Sequence, residues 1–173
     1  GEGDASQYVL KDQILSVSNK PGVQFVVISS DIVYPSGAMK DYERKFFLPF
    51  KGLKKPIYAI PGNHDWYDAL EGFVATFFTP DAARKAMAAR IRSDLHITST
   101  NKKDIDRLVD QASFLKKEYD LPVGFQNVPF FQVSTDHFVL LTIDTGVRRR
   151  VDSVQLAWIR AVLEASKGKF VMA

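Results

Sequence analysis

Asp31, Tyr34, Asn63, His64 and Asp65 place two carboxylates, a phenol, a carboxamide and an imidazole in two short stretches of the chain. Each stretch directly follows an apolar run. "VQFVVIS", residues 23–29, leads into "SDIVYPSG", and "KPIYAI", residues 55–60, leads into "PGNHD". Continuous β-branched and aromatic runs of this length read as strands buried on both faces, and open α/β sheets bind ligands beyond the carboxyl ends of such strands. If the two strands are neighbours, Asp31, Asn63 and His64 converge. A carboxylate bridges two cations and an Asn carbonyl adds a neutral oxygen. The chain has no cysteine, so oxygen and imidazole are the donors, which favours Mn, Fe, Zn or Mg. The same residue types also admit a structural reading, in which Asn63 and Asp65 make Asx turns and His64 is a satisfied loop histidine.

These groups need elements to hold them. Strand, polar loop and helix alternate through the first part of the chain, which predicts an α/β sheet. Asp4 or Ser6 caps a first helix that turns Leu10, Ile14 and Val17 inward and stops at Pro21 and Gly22. Residues 38–50 read as helical. Residues 81–92 form an Ala-rich basic helix, and residues 101–119 place Ile105, Leu108, Val109, Ala112 and Leu115 on one face. The segment 79–128, including "SDLHITST" with His96, reads as a helical insertion over or beside the sheet. "PFFQVST" and "HFVLLTI" make a hairpin about Asp136, with His137 beside the turn. After "DTGVRRR", Asp152 and Gln155 offer a capping box for a helix carrying Leu156, Trp158, Ile159, Val162 and Leu163. "GKFVMA" begins a further strand. A buried strand that stops at Met172 and Ala173 reads as a domain cut short.

Composition bounds the function. A chain of 173 residues with 46% hydrophobic and 25% charged content suits one globular domain. Its apolar runs fall far short of the roughly 20 residues that a membrane helix needs, so no membrane partner is expected. No basic segment followed by an apolar core opens this numbering, and a cytoplasmic location is the expectation. A net charge of +3 helps attract a phosphorylated small molecule or nucleotide, and residues 79–120 carry nine basic against seven acidic groups. That near balance gives no basis for a nucleic-acid partner.

"SDIVY" followed about thirty residues later by "GNHD" resembles the second and third signatures of calcineurin-like metallophosphoesterases, G-D-x-x-(D/Y) and G-N-H-(D/E). "LLTIDTG" with "DSVQLAWIRAVLEAS" is similar to that family's later strand, loop and helix. The resemblance implies a layered β-sandwich flanked by helices and a site holding two metal ions, Mn, Fe or Zn. It makes Asp31 the bridging carboxylate, Asn63 a ligand that also faces the phosphate, and His64 the catalytic imidazole on the phosphoryl group. Asp65 is implied as a support of the loop. Tyr34 stands where the purple acid phosphatase branch has a metal-bound tyrosine. Asp144 and Arg148, Arg149 and Arg150 are expected near the rim, as phosphate contacts or as a solvated basic turn.

Three departures qualify the match. Ser30 occupies the position before Asp31 where the family has glycine, and its Cβ is expected to crowd the site. No first signature precedes "GEGDAS", although Gly1 fits the end of a D-x-G triplet, and no final histidine motif follows "KFVMA". The expectation is therefore a phosphoesterase domain truncated at both ends, its rival a non-catalytic scaffold that keeps the fold.

Overall fold

The computed structural model describes residues 1–91, 101–146 and 149–173. Strands β1 (Val26–Ser29) and β2 (Ile57–Ile60) pair in parallel, with Val26 opposite Ile57 and Ser29 opposite Ile60. Both are shorter than the apolar runs that encode them. On the other side of β2, the Ile57 N–H donates to Pro122 O and the Gly124 N–H to Ile57 O. Two residues further along β2 the buried Gln126 carboxamide takes over, accepting from Ala59 N at 2.8 Å and donating to Ala59 O at 3.0 Å. A side-chain amide thus stands in for a neighbouring strand and leaves no buried β2 backbone group unpaired there.

Residues 39–50 are helical as expected, but not uniformly so. Helix α3 (Met39–Tyr42) passes into a π-helical turn (Glu43–Phe47) and then α4 (Leu48–Phe50). Pro49 explains the change of pitch, because it has no N–H to give the Lys45 carbonyl. That carbonyl instead accepts from Gln7 Nε2 at 3.0 Å. The turn buries Phe46 and Phe47 completely, their rings 5.1 Å apart. The first helix also differs from its pattern. Capped by Asp4, it breaks at Leu10 into α1 (Ala5–Val9) and α2 (Lys11–Ser18). Leu10 and Val17 are exposed, and Leu15 is the residue that packs on the core.

Helix α5 (Asn63–Trp66) follows β2 directly, and α6 (Glu71–Phe77), α7 (Pro80–Ile91) and α8 (Lys102–Glu118) pack against one another. Ile105, Val109, Ala112 and Leu115 of α8 are buried, as their spacing predicts, and Leu108 is half-buried. Arg84 ties α7 to α8 through Asp106 and Asp110, at 2.8 and 2.9 Å. Residues of all three helices share one apolar cluster with Phe46, Phe47 and Ile57.

A second sheet orders β3 (Phe131–Ser134), β4 (Phe138–Thr142) and β5 (Phe170–Met172). The β3–β4 hairpin is antiparallel, and β5 returns parallel to β4 after helix α9 (Ser153–Ala165). Asp152 caps α9 by accepting from the N–H groups of Val154 and Gln155, as its position predicts. Burial along α9 is narrower than its apolar pattern implies: Val162 is buried, whereas Leu156 and Leu163 are exposed. His137 lies in the hairpin turn, and His96 lies outside the described residues. The architecture is mixed α/β, helices with two small sheets, and no helix among the described residues is long and apolar enough to cross a membrane.

Candidate active site

Parallel pairing of β1 with β2 sets the loops that follow them side by side. Ser30 N donates to Ile60 O at 2.9 Å, and from there the β1 loop turns through two left-handed residues, Ser30 at φ 83° and Asp31 at φ 49°. That conformation suits glycine and strains a residue with a Cβ. The Ser30 departure therefore acts on backbone conformation. Opposite it sits Gly62, where an added Cβ would lie 2.0 Å from Asp31 Oδ1 and 2.5 Å from Asp31 N. Only a glycine allows the two loops to approach this closely.

Asp31, Tyr34 and His64 come together. Tyr34 Oη donates to Asp31 Oδ2 at 2.6 Å, and the His64 backbone N–H donates to Asp31 Oδ1 at 3.2 Å. The hydrogen bond to Asp31 and burial push the Tyr34 phenol up to about 12. The His64 ring packs on Tyr34, centroids 4.1 Å apart, and its Nδ1 lies 2.6 Å from Pro35 O. A carbonyl only accepts, so Nδ1 carries a proton, and in the neutral ring Nε2 holds the lone pair. Asn63 is exposed beside this group and donates from Nδ2 to Tyr67 Oη at 2.8 Å, with its Oδ1 left for another partner.

Asp65 has a different place from the other acids. It is fully buried and accepts from the N–H groups of Ile32, Val33 and Gly62. One carboxylate thus staples the β1 loop to the β2 loop. Burial pushes its carboxyl above the usual range, against the opposing pull of those N–H groups. Asp68, three residues on, is pushed up to about 8, chiefly by burial, and its Oδ1 has no hydrogen-bond partner among the described residues.

The loop after β4 completes the site. Asp144 is buried, not at the rim, and accepts from Trp66 Nε1 at 3.1 Å and from Gly146 N at 2.8 Å. Its backbone is clasped by Gln155, which donates to Asp144 O and accepts from Asp144 N. So fixed, the loop contributes to an open cleft of about 330 Å³, lined by the polar residues Ser29, Ser30, Asn63, Thr145 and Arg149 and by the apolar Ile60, Pro61 and Ile143. Sequence reasoning passed over Ser29, Thr145 and Gly62, and grouped Arg149 with its neighbours. The signal for Gly62 was its place in "GNHD", directly after the β2 run; nothing local marked Thr145. Arg150 is exposed, and Arg148 lies outside the described residues.

The family model for the calcineurin-like phosphoesterase matches residues 4–102, a span that contains both loops. The chain belongs to the calcineurin-like phosphoesterase family. No curated protein and no solved structure matches it. Calcineurin-like phosphoesterases are hydrolases of phosphorylated substrates and are generally metal-dependent. The donor set here fits one corner of a cation shell: Asp31 and Asn63 offer hard oxygens, and the missing Cβ of Gly62 gives Asp31 room. Among the described residues, no group of three or more His, Asp or Glu comes together.

Proposed function

We propose that this phosphoesterase domain hydrolyses phosphate mono- or diesters of small molecules or nucleotides with two metal ions, Mn, Fe or Zn. What carries the proposal is the convergence of Asp31 with the Asn63–His64 pair at the carboxyl ends of two adjacent parallel strands, within the span of the family match. Asp31 and Asn63 would hold metal, Asp31 as the shared carboxylate. The contact of Tyr34 with Asp31 supports reading the chain as purple acid phosphatase-like. The two sheets are the counterparts of the family's two sandwich layers, with residues 79–128 as the helical insertion in a single domain of 1–173.

Bound cations supply Lewis-acid activation of water and neutralise charge developing at phosphorus. The protein's own groups do the rest. The Asn63 carboxamide orients the phosphate. Pro35 O fixes the His64 ring, so that Nε2, once protonated, can donate to the departing oxygen. Asp65 keeps both loops in register without touching substrate.

Asp31→Asn is expected to nearly abolish turnover of an aryl phosphate in the Mn²⁺-supplied protein. Activity close to that of the parent would sink the assignment. One observation favours a rival. Ser30 in a left-handed conformation is a departure that a catalytic loop has reason to avoid, so a binding module that keeps the fold predicts phosphate capture with no turnover by the unsubstituted protein.

A further inference from the structure

We propose that Arg149 reads the charge of the substrate, selecting the doubly ionised terminal phosphate of a monoester over a diester. The inference rests on the phosphoesterase reading and deepens it. Arg149 lines the cleft together with Asn63 and Ser30, and it is the one charged residue of that lining among the described residues. It makes no ion pair with any described carboxylate. The other polar side chains of the lining, Ser29, Ser30, Asn63 and Thr145, are hydroxyl and amide groups able to donate hydrogen bonds. A cleft whose polar side chains can all donate, beside a guanidinium with no ion pair to a described carboxylate, is complementary to an oxyanion.

The placement of Arg149 is built into the fold. Its backbone is left-handed at φ 53°, inside a turn closed by the Arg150 N–H on Thr145 O at 3.1 Å. Next to Thr145, Asp144 holds the Gly146 N–H and is itself held by Trp66 beside the Asn63–His64 pair. Hydrogen bonds at Thr145 and Asp144 therefore link the Arg149–Arg150 backbone to the loop that carries Asn63 and His64. Counting oxygens then names the substrate class. A guanidinium fork engages two phosphate oxygens, and the Asn63 wall needs another. A monoester offers three terminal oxygens and two negative charges; a diester offers two and one.

The test is binding of methyl phosphate against dimethyl phosphate, followed by NMR titration or calorimetry of the whole chain with chelator present, at a pH where methyl phosphate is a dianion. The parent is expected to prefer methyl phosphate by about tenfold or more, the scale of a charge-assisted bidentate contact. Arg149→Ala should erase that preference, and Arg149→Lys, which keeps the charge but not the fork, should retain part of it. A matching circular dichroism spectrum establishes that each variant is folded. No preference in the parent, no binding of either ester, or a preference unchanged in Arg149→Ala overturns the inference. Aryl phosphate hydrolysis by the same proteins, freed of chelator and supplied with Mn²⁺, separates the two readings. Hydrolysis sensitive to Asp31→Asn but no monoester preference leaves the phosphoesterase reading standing and sinks the role of Arg149. A preference lost in Arg149→Ala with no hydrolysis by the parent does the reverse.

Discussion

The two halves of the molecule are packed very differently. Around β1 and β2, Phe46 alone stacks against Tyr42, Phe47, Phe50 and Phe77 at centroid distances of 5.1–5.9 Å, within a cluster that reaches α8. Among the described residues, the sheet of β3 to β5 with α9 buries only Val139, Leu141 and Val162 in its cluster, while Val154, Leu156, Phe170 and Met172 stay exposed. Local stability follows the density of buried apolar contacts. Asp31, Asn63 and His64 therefore stand on the firm half, and Arg149 and Thr145 stand on the thin one. The Trp66–Asp144 hydrogen bond joins them. Groups that must hold a fixed geometry gain from a dense core, whereas a wall that selects ligands tolerates a looser base.

The largest test of that contrast is a pair of truncations. Phe46→Ala is expected to cost about 4 kcal/mol, and Val162→Ala about 1 kcal/mol, in denaturant unfolding of the whole chain. Equal costs would mean that the two clusters are not unequal in the way burial implies. Next comes Gly62→Ala, which drives a Cβ into Asp31 and the β1 backbone. A loss of roughly 3 kcal/mol is expected, together with loss of whatever activity depends on Asp31, because backbone cannot move aside cheaply. A smaller effect belongs to Lys116 at the edge of the dense half, where burial lowers the ammonium from 10.5 to about 8. Between those pH values the unfolded chain binds more protons than the folded one, so this group makes stability rise with pH. Below about pH 8 both states are charged and the folded state bears the full penalty. Lys116→Met should therefore stabilise the protein at pH 7 by on the order of 1–2 kcal/mol, with the gain fading as pH approaches 10.5. Thermal melts at several pH values would detect it, and a gain that does not vary with pH would contradict the cause. Smallest is Ser30→Gly, which relieves the left-handed serine and is expected to add about 1 kcal/mol. A melting temperature unchanged or lowered would show that the Ser30 conformation is not strained.

Much of the fold was legible because its cues are local. The apolar runs announced β1 and β2, Asp152 announced the start of α9, and the spacing of Ile105, Val109, Ala112 and Leu115 announced the buried face of α8. Cues failed where a residue's fate depends on what faces it. Leu10 and Val17 have helical spacing but turn to solvent, since α1 and α2 meet the core through Leu15. Asp144 was placed at a rim by its position after a strand, yet Trp66 and Gln155 hold it buried.

By itself the sequence determined the chemistry available: oxygen and imidazole donors after two apolar strands, in the order that marks a calcineurin-like phosphoesterase. Those features reside in residue types and short spacings, which a chain carries before it folds. Only the tertiary structure decided that Gly62 must be bare to admit Asp31, that Ser30 bears its side chain in a left-handed turn, and that Arg149 shares a cleft with Asn63. Each of these depends on segments far apart in the chain meeting at a few ångströms, and such meetings are set by packing and hydrogen bonding across the whole core.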